Sequence, residues 1–151
     1  MNNVKEISKL DLLKIKDEYI FHGSPKLFDN CKPHKAKCAS HNPLNEQKAI
    51  YGTNNIEFAI LFAFEKLPSD KYDWCTVYDG KSYYAELHDK TYIEDNAFGY
   101  IYCFNKVEFN PIKDGSVQYV CKHNLNPVLI YKIYYKDFKE LFKKEMLNSK
   151  R

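Results

Sequence analysis

The segment His22-Gly23-Ser24 is the first place in this sequence where residue types suit chemistry on a ligand. The apolar run at 19–21 predicts a strand that ends there, before Pro25. Glycine has no side chain, so the N–H and C=O of Gly23 can meet a planar amide directly. His22 can donate a hydrogen bond to a ligand hydroxyl, and Ser24 can add another. The same residues also fit a plain strand end with a turn before proline.

A tyrosine on a second predicted strand supplies a flat surface. Tyr51 lies in the strand predicted at 49–53, and Phe62 lies in the buried helix predicted at 56–66, capped by Asn54 or Asn55. Two aromatic rings on adjacent elements can hold a planar ring between them, and such pairs contribute about 0.5–1.5 kcal/mol beyond burial. Both residues also fit a hydrophobic core, so either interpretation stays open.

The polar segment at 26–47 predicts a long loop, which in a compact domain is typical of a functional or a disordered segment. Three lysines there can neutralise an anionic group as point charges: Lys32, Lys35 and Lys37. Two cysteines and two histidines can fill a tetrahedral zinc site: Cys31, His34, Cys38 and His41. Their order matches no common zinc finger, so we predict no metal site.

The remaining elements indicate an α+β fold with antiparallel strands and a few helices packed on them. Ser8 and Asp11 have capping-box spacing and predict a helix at 8–16, within an N-terminal helical segment at 1–18. A hairpin is predicted around Asp79-Gly80, and Asp137 is predicted to cap a C-terminal helix at 136–151. Further strands are predicted at 99–104, 107–109, 117–121 and 128–135. We assign residues 1–151 to a single domain.

Composition excludes several classes of function. Of 23 basic residues only Arg151 is an arginine, and the net charge is +3, so sequence-specific DNA binding is not expected. The five cysteines are an odd number and the N-terminal segment is polar, which predicts a reducing, cytoplasmic location. No apolar run reaches membrane-spanning length, so we expect no membrane partner.

Taken in order, these motifs resemble the ADP-ribosyltransferase superfamily. Strand–His-Gly-Ser, strand–Tyr-x-Thr and an Ala/Phe-rich helix look closest to the branch with a His–Tyr–acid triad, which holds poly(ADP-ribose) polymerases and rifampin-type transferases. The resemblance implies two packed antiparallel sheets with a few helices, and NAD as the substrate. It assigns the adenosine ribose to His22, the nicotinamide amide to the Gly23 backbone, and the nicotinamide ring to Tyr51 and Phe62, with Ser24 beside the cofactor.

The third triad position has two candidates. The polymerase-like branch has glutamate near the start of a late strand, where this sequence has Gln118. Glutamine can hydrogen-bond a ribose hydroxyl, but it carries no charge and cannot act as a base. The rifampin-type enzymes place their acid in an Ile-Glu-Asp stretch, which makes Asp95 the rival, although a solvated turn carboxylate is the commoner case.

The resemblance implies NAD-dependent mono-ADP-ribosyl transfer, with catalytic roles for Tyr51 and for Gln118 or Asp95. The acceptor is left open between protein, nucleic acid, a small molecule and water. One alternative is a catalytically degenerate module that binds NAD or ADP-ribose, which Gln118 favours, and another is an NAD glycohydrolase. An RNA 2′-phosphotransferase is disfavoured because that branch relies on several arginines. A Cys–His nucleophile pair has no local signature here.

Overall fold

Strands dominate the structure, a computed structural model that describes residues 4–15, 18–28, 34–35, 48–68 and 73–145. Over these ranges the chain forms two sheets and two short helices, which confirms the predicted α+β class. The helices are α1 (Lys9–Lys14) and α2 (Ile56–Ile60). Neither helix has the length and apolar character needed to cross a membrane. The strands are β1 (Val4–Glu6), β2 (Ile20–Ser24), β3 (His34–Lys35), β4 (Lys48–Thr53), β5 (Trp74–Tyr78), β6 (Tyr83–Leu87), β7 (Phe98–Phe104), β8 (Asn110–Pro111), β9 (Gln118–Cys121), β10 (Leu129–Tyr134) and β11 (Phe142–Lys144).

The larger sheet has the strand order β1-β10-β7-β2-β4-β9-β8, with β3 also paired to β4. Its pairs are antiparallel except for β1 and β10, which run parallel. The prediction of purely antiparallel sheets is therefore wrong at this edge. The short β3 lies in the segment predicted to be a loop, while residues 29–33 and 36–47 of that segment lie outside the described residues.

The smaller sheet has the order β11-β6-β5. Strands β5 and β6 form the predicted hairpin, whose turn is held by Asp79: its carboxylate accepts hydrogen bonds from the backbone N–H groups of Lys81 and Ser82. Gly80 follows with φ of 96°, a left-handed conformation that glycine adopts without steric cost. Strand β11 pairs parallel to β6, so this sheet also departs from the predicted antiparallel pattern.

Hydrophobic cores lie on both faces of the larger sheet. One face packs against α1, α2 and the smaller sheet, and it buries Phe21, Ile101 and Ile133 together with Ala85 and Leu87 of β6. The other face buries a second cluster: Ile20, Ile50, Tyr102, Phe104, Phe109, Cys121 and Ile130. Because successive strand residues point to opposite faces, β2 contributes Phe21 to the first core and Ile20 to the second.

Two glycines let the chain around α2 approach the larger sheet closely. A Cβ on Gly23 would lie 2.0 Å from the carbonyl oxygen of Ala59, and one on Gly99 would lie 1.7 Å from that of Ala63. Neither distance is sterically possible, so these positions accept only glycine without movement of the backbone. Helix α2 therefore occupies the space in which a side chain at position 23 would lie.

Helix α2 is shorter than predicted. Asn55 caps it, with its side-chain oxygen accepting a hydrogen bond from Phe58 N at 2.9 Å, but the helix ends at Ile60 instead of continuing to 66. The Lys66 ammonium donates to the Leu61 carbonyl, which a continuing helix would use for the backbone N–H of residue 65. Phe62 thus lies in the turn after the helix, and its placement on the helix was wrong.

The predicted C-terminal helix is also wrong as far as residue 145. In its place stand two 3₁₀ turns, Tyr135–Asp137 and Lys139–Leu141, followed by β11. The apolar residues Phe138 and Leu141 are buried as expected, but pairing with β6 outweighs helical propensity. A third 3₁₀ turn, Lys106–Glu108, replaces the strand predicted at 107–109. The Asn105 side-chain oxygen caps this turn by accepting a hydrogen bond from Val107 N. The Val107 side chain is 82% exposed.

Candidate functional site at the split between two strands

The predicted motifs meet where β2 and β4 stop pairing. Strand β2 pairs with β7 over all five of its residues, whereas in the described part of the chain it pairs with β4 only at Phe21 opposite Thr53. Beyond this point β2 continues to Ser24 along β7 alone. The two strands thus split after this pair, and β3 pairs with β4 at Ala49 and Lys48.

The His22 side chain bridges this split. Its Nδ1 lies 2.7 Å from the backbone carbonyl oxygen of Tyr51. Since a carbonyl only accepts hydrogen bonds, Nδ1 carries the proton, and Nε2 of the neutral ring is then an acceptor. The ring is also packed edge-on against Tyr102, with 5.8 Å between ring centroids. His22 is therefore fixed in orientation, and its predicted hydrogen bond to a ligand hydroxyl stays a prediction.

Tyr51, Gly23 and Gln118 share the face of the sheet that carries α2. Thr53 pairs with Phe21 on β2 and with Gln118 on β9, and Tyr51 pairs with Val120. Because side chains alternate between the two faces along a strand, Tyr51 and Gln118 point to the same side as Phe21 and Gly23. Both side chains are half-buried. The rings of His22 and Tyr51 consequently face opposite sides of the sheet, and the two residues meet through the Tyr51 backbone.

Ser24 and Tyr102 hold the chain that leaves β2. Ser24 is buried, and its hydroxyl oxygen accepts a hydrogen bond from Lys26 N at 3.1 Å. The buried Tyr102 hydroxyl donates to Lys26 O and accepts from Phe28 N, both at 2.7 Å. Tyr102 was missed from the sequence, although a tyrosine in the middle of an apolar strand must find a partner for its hydroxyl. Its position against His22 makes it part of the candidate site.

Phe62 takes part in an aromatic cluster toward the smaller sheet. Its ring centroid lies 5.3 Å from that of Phe58 and 5.1 Å from that of Trp74. The Lys66 ammonium lies 3.8 Å from the centroid of Trp74, and burial lowers the pKa of this ammonium to about 7. The predicted closure of Phe62 over a ligand ring on Tyr51 stays a prediction, and Lys66 is a feature that the sequence did not indicate.

Asp95 lies on the surface ahead of β7. Its carboxylate accepts a hydrogen bond from the Lys139 ammonium at 3.1 Å, and its side chain is 89% exposed. These are the features of a solvated turn carboxylate, the alternative considered from the sequence. Gln118 has the stronger position, because it lies beside Thr53 at the end of β4.

The cysteine and histidine set of the polar loop cannot be placed. Cys31, Cys38 and His41 lie outside the described residues, as do Lys32 and Lys37, and only the main chain of His34 and Lys35 is described. Strand β3 joins that main chain to β4 through His34 opposite Ala49 and Lys35 opposite Lys48. These two residues of the predicted loop are therefore paired with the strand that carries Tyr51.

No protein-family model, no curated protein and no solved structure matches this chain.

Four candidate groups therefore lie on neighbouring strands: an oriented imidazole on one face of the sheet, a tyrosine ring and a glutamine amide on the other, and a glycine backbone between them. His22 and Gly23 come from β2, Tyr51 from β4 and Gln118 from β9. This set offers hydrogen bonding and stacking, and none of its three side chains carries a carboxylate.

Proposed function

We propose that this protein binds NAD and transfers its ADP-ribose unit to an acceptor. The observation that carries the proposal is the His22 imidazole, held by the Tyr51 carbonyl at 2.7 Å where β2 and β4 separate. An imidazole fixed in this way has a defined orientation for hydrogen bonding to a ligand hydroxyl. The resemblance in the order of motifs supports assigning that hydroxyl to the adenosine ribose.

The nicotinamide end is assigned to Gly23 and Tyr51. The space over Gly23 on the side of α2 is taken by Ala59, so an amide group approaches Gly23 in the plane of the sheet, through the split. Tyr51 lies one strand away on β4 and is half-buried, which leaves part of its ring accessible for stacking. Fixing the leaving group between backbone and ring orients the bond that breaks, which joins nicotinamide to ribose.

Gln118 is assigned to the ribose hydroxyls next to that bond. As the bond breaks, nicotinamide leaves with the bonding electron pair, and the acceptor forms its new bond to the ribose carbon from the opposite face. Because an amide carries no charge, Gln118 helps by positioning and not by steadying positive charge. Without that charge, we expect transfer to be slower than at a site with glutamate in this position.

NAD binding by the Tyr51 variants tests the proposed site. Tyr51→Ala is expected to weaken NAD binding by about 1–3 kcal/mol, because it removes the stacking surface, whereas Tyr51→Phe keeps the ring and is expected to bind normally. Tyr78→Ala, which truncates a tyrosine that is 57% exposed on the hairpin, is the matched control. Isothermal titration calorimetry measures all four proteins. Unchanged affinity in Tyr51→Ala would contradict the assignment.

Turnover tests the reaction and separates it from the alternatives. With labelled NAD and a cell lysate, we expect label on an acceptor together with released nicotinamide. Release without label transfer would indicate an NAD glycohydrolase, and binding without release would indicate the degenerate binding module that Gln118 favours. Gln118→Glu is expected to raise the rate of nicotinamide release, because it supplies negative charge at the same position, while Asp95→Ala is expected to leave that rate unchanged.

A further inference from the structure

A cysteine, a glutamate and a histidine meet on the outer face of the smaller sheet, away from the proposed NAD site. Cys75 on β5 lies directly across from Glu86 on β6, and His88 follows two residues later on the same face. The neighbours Ala85 and Leu87 point to the opposite side, into the core. Alternation along β6 therefore collects the three polar side chains at the open end of the hairpin.

The separation of Cys75 Sγ and His88 Nε2 is that expected of two zinc ligands, while Glu86 is hydrogen-bonded to the same nitrogen. Cys75 Sγ lies 3.7 Å from His88 Nε2, and His88 Nε2 lies 2.9 Å from Glu86 Oε1. All three ligand atoms fall within 4.8 Å of one another. Around a tetrahedral zinc ion, the usual bond lengths place sulfur and nitrogen about 3.6 Å apart and nitrogen and oxygen about 3.4 Å apart. The nitrogen–oxygen distance is about 0.5 Å shorter than this, so zinc binding requires the Glu86 carboxylate to move away from Nε2.

The same nitrogen of His88 faces both other groups, which favours a metal ion over a catalytic pair. In a Cys–His–acid catalytic arrangement the acid would orient the ring through one nitrogen and the thiol would meet the other. Here Glu86 and Cys75 both approach Nε2. Three ligand atoms within 4.8 Å of one another are the arrangement expected around a cation.

Charge around the cluster also favours a cation. The carboxylates of Glu86 and Glu145 both lie near the Cys75 thiol. Glu145 directly follows β11, and its N–H donates to Leu87 O at 2.9 Å, which keeps it next to β6. Lys143 of β11 pairs with Glu86 in register, and its ammonium lies over the Tyr84 ring, 4.3 Å from the centroid. A divalent cation would offset the negative charges of this corner.

We propose that Cys75, Glu86 and His88 bind a zinc ion. On binding, the Cys75 thiol loses its proton to solvent and its sulfur forms the metal bond, while His88 binds as the neutral imidazole through Nε2. Three protein ligands leave a fourth position for water. The ion links β5 to the chain beyond β6, so it also stabilises the open end of the hairpin.

Zinc binding to the metal-stripped full-length protein tests the proposal. We expect zinc binding at this site with release of a proton, measured by calorimetry in two buffers of different ionisation enthalpy. Cobalt in place of zinc is expected to give the near-ultraviolet charge-transfer absorption of a thiolate–metal bond. Cys75→Ser and His88→Ala are expected to lose more than about 100-fold in affinity, because loss of a ligand exceeds the effect of losing an outer partner.

Two control proteins make the result decisive. Thr76→Ala changes an exposed neighbour on β5 and is expected to bind zinc normally. The double variant Cys31→Ser/Cys38→Ser removes the cysteines of the polar loop, and it is expected to retain the Cys75-dependent cobalt absorption. Circular dichroism checks that each variant is folded. The proposal is overturned if the wild type binds no zinc, or if Cys75→Ser binds zinc and cobalt as the wild type does.

Discussion

Replacing Lys66 with methionine is expected to change how the stability of this protein depends on pH. The Lys66 ammonium is enclosed by the rings of Trp74, Phe62 and Phe142, and it donates to the Leu61 carbonyl. Burial lowers its pKa from 10.5 to about 7. Methionine has a similar length and no charge, so Lys66→Met keeps the packing of the side chain while it removes the titration.

The expected size of the effect follows from this pKa. Folded Lys66 loses its proton near pH 7, whereas in the unfolded chain it stays protonated up to about pH 10.5. Unfolding between these values takes up a proton, so raising the pH raises the free energy of unfolding by up to about 1.4 kcal/mol per pH unit. From pH 7 to 9 the gain is about 2 kcal/mol, since Lys66 is still partly charged at pH 7.

Urea unfolding at pH 7, 8 and 9 measures this gain. Trp74 is the only tryptophan and touches Lys66, so its fluorescence should be followed together with circular dichroism. The quantity to compare is the difference between wild type and Lys66→Met, in which the other titrating groups cancel. The range stops at pH 9 because both proteins lose stability above it: burial raises the pKa of Cys103 to about 12, so at higher pH only the unfolded thiol ionises.

A difference between the two proteins that stays constant from pH 7 to 9 would refute the reasoning. It would mean that Lys66 keeps its charge on folding, held by the Trp74 ring and the Leu61 carbonyl against the cost of burial. Lys132→Met is a matched control, because Lys132 also lies over an aromatic ring, 4.2 Å from the centroid of Phe98, but on the larger sheet. This variant is expected to keep the wild-type dependence on pH.

Two further substitutions test the packing around the candidate site by urea unfolding. Gly23→Ala is expected to destabilise the protein by about 2–3 kcal/mol, because the new methyl group would overlap the Ala59 carbonyl; wild-type stability in this variant would contradict the close approach of α2. Tyr102→Phe is expected to cost about 1–3 kcal/mol, because Lys26 O and Phe28 N lose their partner. A cost below the error of the measurement would show that water replaces the hydroxyl.

Local signals predicted the elements that depend on near neighbours in the sequence. Ser8 caps α1 with its hydroxyl oxygen 3.1 Å from Asp11 N, as the capping-box spacing indicated. The Asp79-Gly80 turn joins β5 and β6, and Asn55 caps α2. Each of these structures is stabilised by hydrogen bonds within a few residues, so residue type and spacing are sufficient to predict them.

The errors fall where distant parts of the chain decide the structure. Phe138, Leu141 and Phe142 have a spacing that fits a helix, but the edge of β6 offers backbone hydrogen bonds to Phe142–Lys144 and draws this segment into a strand. Helix α2 ends early, with Phe62 N and Ala63 N bonded three residues back, and the Lys66 ammonium then contacts the Leu61 carbonyl. Neither the free edge of β6 nor the position of the Lys66 ammonium can be read from local periodicity.

For the site, the sequence determined the residue types and the strands that carry them: a histidine and a glycine on one strand, a tyrosine on the next. The tertiary structure decided their relation. Because β4 pairs with β2 at a single position, the His22 imidazole meets the Tyr51 carbonyl and not its ring. The tertiary structure also packed α2 against Gly23 and placed Gln118 beside Thr53. Strand register sets all three relations, and it depends on the burial of both faces of the sheet at once, which no local stretch of sequence specifies.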